Sequence, residues 1–321
     1  MSASSKSCGP SRLLLLLLVL VGLMMASGGS LGMTPEAQPA KPSGEAVRAP
    51  LVLGVVGFYN PRLMYLKYQP LADFLSAHTG RSWRLAISTT YEQTVTQLCE
   101  GKLTLAYLGP YAYLRAHEAC GAIPLIRLNT DGEASYRSFI MVRESSPIRH
   151  LEQLRGKRVG FGAPLSVSSH LQPRNMLLKA GLHGGEDYHC IYLGHHDRAA
   201  RAVLLGDVDA CGVRDIIGRK FLQRGLRILA SSPPIPNFPL VAGAKIDADT
   251  RERILDALVY LPAGDSRVAR EITGWDEELA GGFVPTSDED FDAVRELARE
   301  NFGPQALSLP QESIVCSPET P

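Results

Sequence analysis

The sequence lacks an excess of charge of either sign, because 33 lysine and arginine residues balance 33 aspartate and glutamate residues. It also lacks blocks of basic residues and any interleaving of basic with aromatic side chains. Surfaces that bind nucleic acid are typically basic, so we expect no nucleic acid among the partners of this protein.

The cysteines lack the spacing of a metal site. None of them forms a CxxC or CxxH cluster, which argues against a structural zinc site. We expect neither a metal ion nor another cofactor. Five cysteines follow the amino-terminal segment, namely Cys99, Cys120, Cys190, Cys211 and Cys316.

These cysteines suggest one disulfide. Cys99 and Cys120 each end a predicted helix on the same side of one domain, so the two can pair. Cys190 and Cys211 lie in predicted strands and can be small buried residues. With an odd number of cysteines at least one thiol stays unpaired, and Cys316 in the proline-rich tail is the candidate.

The amino terminus has the three parts of a secretory signal peptide. Lys6 and Arg12 form the basic part, residues 13–25 are apolar, and residues 26–30 are small. We therefore predict a signal peptide over residues 1–30 and export to the periplasm. The apolar run is shorter than the ~20 residues that a membrane-spanning helix needs. An uncleaved anchor is the alternative.

Two further segments have the composition of irregular chain. Residues 31–50 are rich in proline, alanine, glycine and serine, so we predict a flexible leader there. Residues 303–321 contain several prolines and serines, so we predict a loose tail. The folded part between them is long enough for two domains of ordinary size.

Strand and helix patterns alternate through the folded part. Strands are predicted at 51–56, 83–88 and 103–108, with helices at 68–78, at 91–99 and from Pro110. After a polar break at 129–134, strands at 136–143, 158–161, 190–193 and 208–213 alternate with helices at 148–154, after Ser169 and at 197–205. This order is typical of a parallel sheet with helices on both faces. Two such series predict an α/β fold of two lobes with a cleft between them.

Polar residues follow the carboxyl ends of these strands, where open α/β sheets bind ligands. They are Tyr59, Thr89, Thr90, Tyr91 and Tyr111 in the first series and Ser166, Ser168, Ser169, His195, His196, Asp197, Arg214 and Asp215 in the second. Helix capping accounts for Thr89, Thr90 and Asp197. It does not account for hydroxyl or imidazole groups in nearly every loop at one end of both sheets, so we predict a polar ligand site there.

The most informative loop lies in GKRVGFGAPLSVSSHLQPR, residues 156–174. A short β-rich run ends in a Gly/Pro turn, and three serines then open an apolar-periodic helix. Serine hydroxyls satisfy the first amides of a helix, and the helix dipole favours an anion at that end. The alternative is that one serine is an ordinary N-cap and the others are solvated. The spacing alone does not separate these two possibilities.

Six segments of the chain occur in the order that they have in a known family. They are LTLAYLGPYAYLRA (103–116), SYRSFIMVRESSPI (135–148), LEQLRGKRVGFGAPLSVSSHLQPR (151–174), GHHDRAARAVLLGDVDACGV (194–213), PPIPNFPLV (233–241) and GGFVPTSDEDFDAVRE (281–296). Together they resemble the phosphate/phosphite/phosphonate-type substrate-binding proteins of ABC importers. The resemblance covers nearly all of residues 51–296.

The resemblance implies a two-lobed periplasmic-binding-protein fold of the second type, which closes on its ligand by a hinge motion. Lobe 1 is expected at residues 51–134 and 235–302, and lobe 2 at residues 135–234. The resemblance also implies that serine and threonine hydroxyls, backbone amides, tyrosines and a histidine hold an oxyanion. The family's Ser-Thr-Ser-Gly motif falls on residues 166–169, and its Gly-Ser-His-Asp motif falls on residues 194–197.

The resemblance thus implies a set of ligand-binding residues in this chain. The set is Tyr91, Tyr136, Ser166, Val167, Ser168, Ser169, His196 and Asp215, with Tyr59, Tyr111, His195 and Arg214 as further candidates. We expect none of them to be catalytic, because the sequence shows no nucleophile–base arrangement.

The chain departs from the family pattern at four positions. Val167 lacks a hydroxyl that the family usually supplies, and His195 replaces a small residue. Arg214 stands where many relatives have a neutral or acidic residue, and Phe238 stands where an aspartate is common. Members that bind an aminoalkylphosphonate need a carboxylate near the amine, a role open to Asp215 but weakened by the change at Phe238. The sequence leaves the identity of the oxyanion open.

We therefore expect an exported solute-binding protein, not an enzyme, that captures phosphonate, phosphite or phosphate for the membrane permease of an ABC importer. A ligand-sensing receptor of the same fold, signalling to a membrane kinase or regulator, is the alternative. His196 is expected to titrate in the physiological range, so that binding tightens as the pH falls. Arg214 either adds a permanent charge to the cleft or pairs with Asp215 or a surface carboxylate.

Overall fold

The computed structural model describes residues 49–57, 59, 61–130 and 132–316. The predicted signal peptide and nearly all of the predicted leader lie outside these residues. Within them, no helix is both long and apolar enough to span a membrane.

Strands and helices alternate along the chain. The strands are β1 (Leu51–Val56), β2 (Trp83–Ser88), β3 (Leu105–Tyr107), β4 (Ile123–Leu128), β5 (Ser135–Tyr136), β6 (Ser138–Arg143), β7 (Arg158–Phe161), β8 (His189–Tyr192), β9 (Ala210–Arg214), β10 (Leu226–Ser231), β11 (Ile235–Pro236), β12 (Pro239–Ala242) and β13 (Phe283–Pro285). The helices are α1 (Pro61–Thr79), α2 (Tyr91–Cys99), α3 (Pro110–Cys120), α4 (Gln172–Lys179), α5 (His196–Leu205), α6 (Asp215–Leu222), α7 (Ala248–Leu255), α8 (Leu261–Gly264), α9 (Ser266–Thr273), α10 (Asp292–Phe302) and α11 (Gln311–Ile314).

The strands form two main sheets. The first has six strands in the order β13-β4-β12-β3-β1-β2, and the second has five in the order β10-β6-β9-β7-β8. Strands of the first sheet come from both ends of the folded part, whereas those of the second come from the middle. Each sheet is the centre of one lobe, so the predicted two-lobed α/β fold is confirmed.

The first sheet is mixed rather than parallel. β1 runs parallel to β2 and β3, and its buried side chains fit the continuous apolar run that predicted it. β12 runs antiparallel to both β3 and β4. The prediction of a parallel sheet is wrong at this edge, because the chain returns from the second lobe and enters β12 in the opposite direction. It is also wrong for part of the second sheet, where β6 runs antiparallel to both β9 and β10 while β7 runs parallel to β8 and β9.

Two extended segments connect the lobes. They contain β5 and β11, which pair antiparallel with Tyr136 opposite Ile235. Next to this pair, the backbone N–H of Ser138 donates to Ser232 Oγ at 2.9 Å. The lobe boundaries that we predicted, at residues 134/135 and 234/235, fall in these segments. Their role as a hinge stays a prediction.

Two disulfides are present among the described residues. Cys99 pairs with Cys120, as expected. Cys190 pairs with Cys316, whereas Cys211 is a free, buried thiol. The expectation that Cys316 stays unpaired is wrong, because Cys190 lies on the edge strand β8, where the chain end can reach it. Cys211 lies between two strands in β9, and burial raises the pKa of its thiol.

The chain end packs against the fold up to residue 316. Ile314 in α11 is fully buried, and the carbonyl oxygen of Ala306 accepts a hydrogen bond of 2.7 Å from Tyr111. The prediction of a loose tail from residue 303 is therefore wrong for residues 303–316. A few apolar side chains and one disulfide fix this segment despite its proline and serine content.

Candidate functional site

The serine turn, residues 166–169, connects β7 to α4. Gly162 precedes it, and a Cβ atom at that position would lie 2.2 Å from Ser169 Oγ, so the turn needs glycine there. A π-helical turn, Val167–Leu171, continues directly into α4. Ser166 caps this helix, because its Oγ accepts a hydrogen bond of 3.2 Å from the backbone N–H of Ser169. The N-cap that the sequence predicted for one serine is thus found at Ser166.

The other two serines of the turn present buried hydroxyl groups. Ser169 Oγ has no hydrogen-bond partner among the described residues, Ser168 Oγ has none beyond the Tyr136 hydroxyl, and both residues are 0% exposed. The alternative that they are solvated is therefore wrong. The backbone carbonyl of Ser168 accepts from Ser138 Oγ at 2.7 Å, which holds the turn in place. A buried hydroxyl without a partner costs roughly 1–3 kcal/mol, so both groups are suited to bind a hydrogen-bond acceptor.

Two tyrosines lie beside the serine turn. Tyr91 is the first residue of α2, which Thr90 caps, and a hydrogen bond links Tyr91 to Ser166. Tyr136 lies in β5, and its buried hydroxyl has no hydrogen-bond partner in the described part of the chain other than Ser168. Burial raises the pKa of both tyrosines. Both therefore stay neutral hydrogen-bond donors at physiological pH.

His196, the first residue of α5, joins the serine turn to β9. Its Nδ1 accepts a hydrogen bond of 3.1 Å from the backbone N–H of Arg214, so the ring proton is on Nε2. Nε2 lies 3.3 Å from Ser166 Oγ and donates to it. Burial, together with the charge of Arg214, lowers the pKa of His196 to about 3. The expectation that His196 titrates in the physiological range is therefore wrong.

Arg214 ends β9 and is held on several sides. Its guanidinium donates to Glu278 Oε1 at 2.5 Å and to Asn237 Oδ1 at 2.9 Å. The guanidinium carbon lies 4.7 Å from the centroid of the Tyr136 ring and 4.4 Å from that of the Phe238 ring. Arg214 is only 6% exposed. Of the alternatives left open by the sequence, neither Asp215 nor a surface carboxylate is its main partner, because the buried Glu278 is.

Glu278 is the centre of a buried ionic cluster. One carboxylate oxygen binds Arg214 and accepts from Tyr107 at 2.9 Å, and the other accepts from Tyr68 at 3.3 Å and lies 3.7 Å from Lys67 Nζ. Burial alone would raise the pKa of Glu278, but the charges of Arg214 and Lys67 outweigh it and lower the pKa. Lys67 also pairs with Asp276. Two cations thus balance two carboxylates, and the cluster adds no net charge to the site.

The sequence reasoning missed Glu278. It lies in an irregular segment between α9 and β13, 64 residues from Arg214, and no motif marks it. Its neighbours Asp276 and Glu277 are also acidic, so composition does not single it out. Only the folded chain shows that this carboxylate, and not its neighbours, faces Arg214.

Three of the other candidates lie around the same site. Val167 is buried in the apolar cluster that also contains Tyr136. Tyr59 shares a small cavity with Arg214 and Glu278. His195 lines a cavity of about 460 Å³ that opens between the lobes. These residues belong to the walls of the site.

Two further candidates have their polar groups engaged elsewhere. The Tyr111 hydroxyl donates to the carbonyl of Ala306, within lobe 1. The Asp215 carboxylate accepts from its neighbour's amide, Ile216 N, at 2.8 Å and pairs with Arg219. The structure therefore does not bring these two polar groups to the serine turn.

The residues described contain no group of three or more histidine, cysteine, aspartate or glutamate side chains that could hold a metal ion. The Glu278 carboxylate is paired with Arg214, and the other polar groups around the serine turn are hydroxyl, imidazole and guanidinium groups. Such groups donate hydrogen bonds, and their arrangement at a helix start is suited to an anion.

Comparison with known proteins places the chain among transport receptors. Residues 53–291 match the family described as "ABC transporter, phosphonate, periplasmic substrate-binding protein". The phosphate-import protein PhnD of Mycolicibacterium smegmatis is 27% identical over 283 residues, which is 81% of this chain and 88% of that protein. The phosphonates-binding periplasmic protein of Escherichia coli is 22% identical over 262 residues, covering 77% and 75% respectively.

A solved structure has a similar fold. PhnD1 from Prochlorococcus marinus, determined in complex with methylphosphonate, superposes with a TM-score of 0.70 and 17% identity. The match covers 78% of this chain and 97% of that one. At this identity the likeness concerns the fold.

Proposed function

Because the chain belongs to the family of periplasmic substrate-binding proteins of phosphonate ABC transporters, we propose that its serine turn binds a small phosphorus oxyanion. The protein captures this ligand in the periplasm and delivers it to the membrane permease of an importer. The residues that we assign to the ligand are Tyr91, Tyr136, Ser166, Ser168, Ser169 and His196, with the backbone of Val167.

One observation carries this assignment. Among the residues described, the buried Ser169 hydroxyl has no hydrogen-bond partner, and the buried hydroxyls of Tyr136 and Ser168 have none but each other. Two of them lie in the first turn of a helix, whose amides also lack partners within the helix. An oxyanion has several acceptor oxygens and therefore satisfies these donors at once.

The charge of the ligand is balanced by dipoles rather than by a free cation. Glu278 already neutralises Arg214, and His196 stays neutral because its pKa is lowered to about 3. Hydroxyl donors and the positive end of the helix dipole remain to stabilise the anion. Binding should consequently depend little on salt, since buried donors are screened less than exposed charges.

We also infer that the protein binds its ligand without changing it. Ser166 and His196 resemble a nucleophile and its base, but Nε2 of His196 carries the ring proton and donates to Ser166 Oγ. A histidine in this tautomer cannot accept the serine proton through Nε2. After prolonged incubation, phosphorus NMR should show methylphosphonate unaltered, and a new phosphorus signal would contradict this inference.

Isothermal titration calorimetry with phosphate, phosphite, methylphosphonate and 2-aminoethylphosphonate tests the proposed function. At least one of these should bind with a stoichiometry of one. Sulfate and chloride at the same concentration serve as controls for non-specific anion binding. If no phosphorus compound binds more tightly than sulfate, the proposed function is wrong.

A further inference from the structure

A small cavity lies beside Arg214 and His196. Its volume is about 20 Å³, and its wall includes Tyr59, His196, Phe238 and Glu278. This volume accommodates about one water-sized group. Because His196 also contacts Ser166, the cavity lies next to the serine turn.

The Arg214 side chain cannot easily leave this position. Two hydrogen bonds, to Glu278 and Asn237, fix the plane of the guanidinium, and the rings of Tyr136 and Phe238 pack against it. Asn237 is itself held by Thr130, since its Nδ2 donates to Thr130 Oγ1 at 3.1 Å. Arg214 therefore acts as a fixed part of the wall.

This arrangement affects a ligand in two ways. A long substituent on phosphorus that points into this cavity would have to displace the guanidinium or an aromatic ring, because the cavity holds only about one water-sized group. An ammonium group in this cavity would meet the positive charge of Arg214, and the carboxylate in the cavity wall, Glu278, is already paired with Arg214 and lies close to Lys67. A buried like charge without a counter-ion is strongly unfavourable.

We propose that Arg214 determines ligand specificity by limiting the substituent on phosphorus to a hydrogen, hydroxyl or methyl group and by excluding an ammonium group. This inference rests on the proposed function, because it requires the serine turn to hold the phosphorus group. In this view the Arg214–Glu278 pair occupies the space in which an aminoalkyl chain would lie.

The first test uses the unaltered protein, so it does not depend on the folding of a variant. Calorimetry should show methylphosphonate or phosphate binding at least about 100-fold more tightly than 2-aminoethylphosphonate and propylphosphonate. Equal affinity for methylphosphonate and 2-aminoethylphosphonate would overturn the inference about Arg214 but leave the proposed function standing. Absence of binding to all phosphorus compounds would instead refute the proposed function.

The second test changes the wall itself. Arg214→Ala frees the Glu278 carboxylate and adds space, so the affinity for 2-aminoethylphosphonate relative to methylphosphonate should rise at least tenfold. In Arg214→Ala/Glu278→Gln the space is the same but the carboxylate is gone, so the relative affinity should rise for propylphosphonate and not for 2-aminoethylphosphonate. A melting curve shows whether Arg214→Ala folds. If it does not, Arg214→Gln replaces it in the same comparison. Unchanged relative affinities in a folded variant would overturn the inference.

Discussion

At the scale of single residues, the three serines of the turn have different tasks although they are neighbours. Ser166 caps the helix, Ser169 presents an unpaired hydroxyl, and the hydroxyl of Ser168 contacts only Tyr136. Ser168→Ala and Ser169→Ala should each weaken ligand binding by about 1–3 kcal/mol, as the loss of a charge-assisted hydrogen bond does. The melting temperature of Ser169→Ala should not fall, since that variant loses no side-chain hydrogen bond within the protein.

Ser166→Ala should lower the free energy of unfolding by about 1 kcal/mol through loss of the cap, and it should also weaken ligand binding, because Ser166 is among the residues assigned to the ligand. Asp247→Ala removes the cap of α7, where Asp247 accepts from Thr250 N at 2.8 Å, far from the serine turn in sequence. It should destabilise to a similar extent with unchanged affinity. If Ser168→Ala behaves like Asp247→Ala, the hydroxyl is structural and not a ligand donor.

His196 illustrates a residue whose pH behaviour follows from burial. Its pKa is about 3 in the folded protein, below the ~6.5 of an unfolded chain. Between these values the unfolded state binds more protons, so the stabilising contribution of neutral His196 is present above pH 6.5 and is lost as the pH falls towards 3. The expected loss is about 2 kcal/mol at pH 5.

Denaturant unfolding of the unaltered protein and of His196→Gln at pH 8 and pH 5 measures this effect. The pKa of His170 is also lowered to about 3, so His170 adds a pH dependence of its own. This contribution cancels in the comparison because both proteins contain His170. Between pH 8 and pH 5, the free energy of unfolding should fall further for the unaltered protein than for His196→Gln. A constant difference would show that His196 is protonated in the folded state or exposed.

At the scale of elements, the serine turn depends on the close approach of Gly162. A methyl group at this position would overlap Ser169 Oγ and push the turn away from its place at the end of β7. Gly162→Ala should therefore weaken ligand binding at least tenfold, with the loss of affinity exceeding the loss of stability. Gly264→Ala is the control, because a Cβ atom there meets nothing within 4 Å. Equal affinity of the two variants would contradict this role of Gly162.

Elements with a local signal could be predicted from the sequence, and elements defined by distant contacts could not. The continuous apolar run of β1 and the serines at the helix start are local, and both are found where expected. The carboxylate partner of Arg214 is Glu278, 64 residues away, and the partner of Cys190 is 126 residues away. Residue spacing carries no information about such pairs, because the path of the intervening chain decides which side chains meet.

The depressed pKa of His196 was unpredictable for a related reason. Its sequence context shows another histidine and an aspartate, His195 and Asp197, which suggest an exposed titratable group. Burial and the charge of Arg214 determine its actual behaviour. The chemistry of a site between lobes depends on packing that only the complete fold creates.

At the scale of the whole molecule, the carboxyl-terminal segment ties the two lobes together. Ile314 is buried in the apolar cluster of lobe 1, and two residues later Cys316 is bonded to Cys190 on the edge strand of lobe 2. Tyr192 reinforces this attachment, because its hydroxyl accepts from Cys316 N at 3.1 Å and contacts His170 at 2.8 Å. The disulfide should therefore stabilise the complete fold and not one lobe alone.

The two disulfides provide an internal comparison. The pair Cys190–Cys316 spans 126 residues and the pair Cys99–Cys120 spans 21. Loop-closure entropy predicts that removing the disulfide that closes the longer loop lowers the free energy of unfolding by about 5 kcal/mol. Removing the disulfide that closes the shorter loop should lower it by about 3 kcal/mol. Cys190→Ser/Cys316→Ser should accordingly unfold at lower denaturant concentration than Cys99→Ser/Cys120→Ser. The slope of its free energy of unfolding against denaturant concentration should reveal whether the lobes still unfold together. The opposite order of midpoints would mean that the carboxyl-terminal attachment contributes little, because packing of Ile314 alone would then hold the segment.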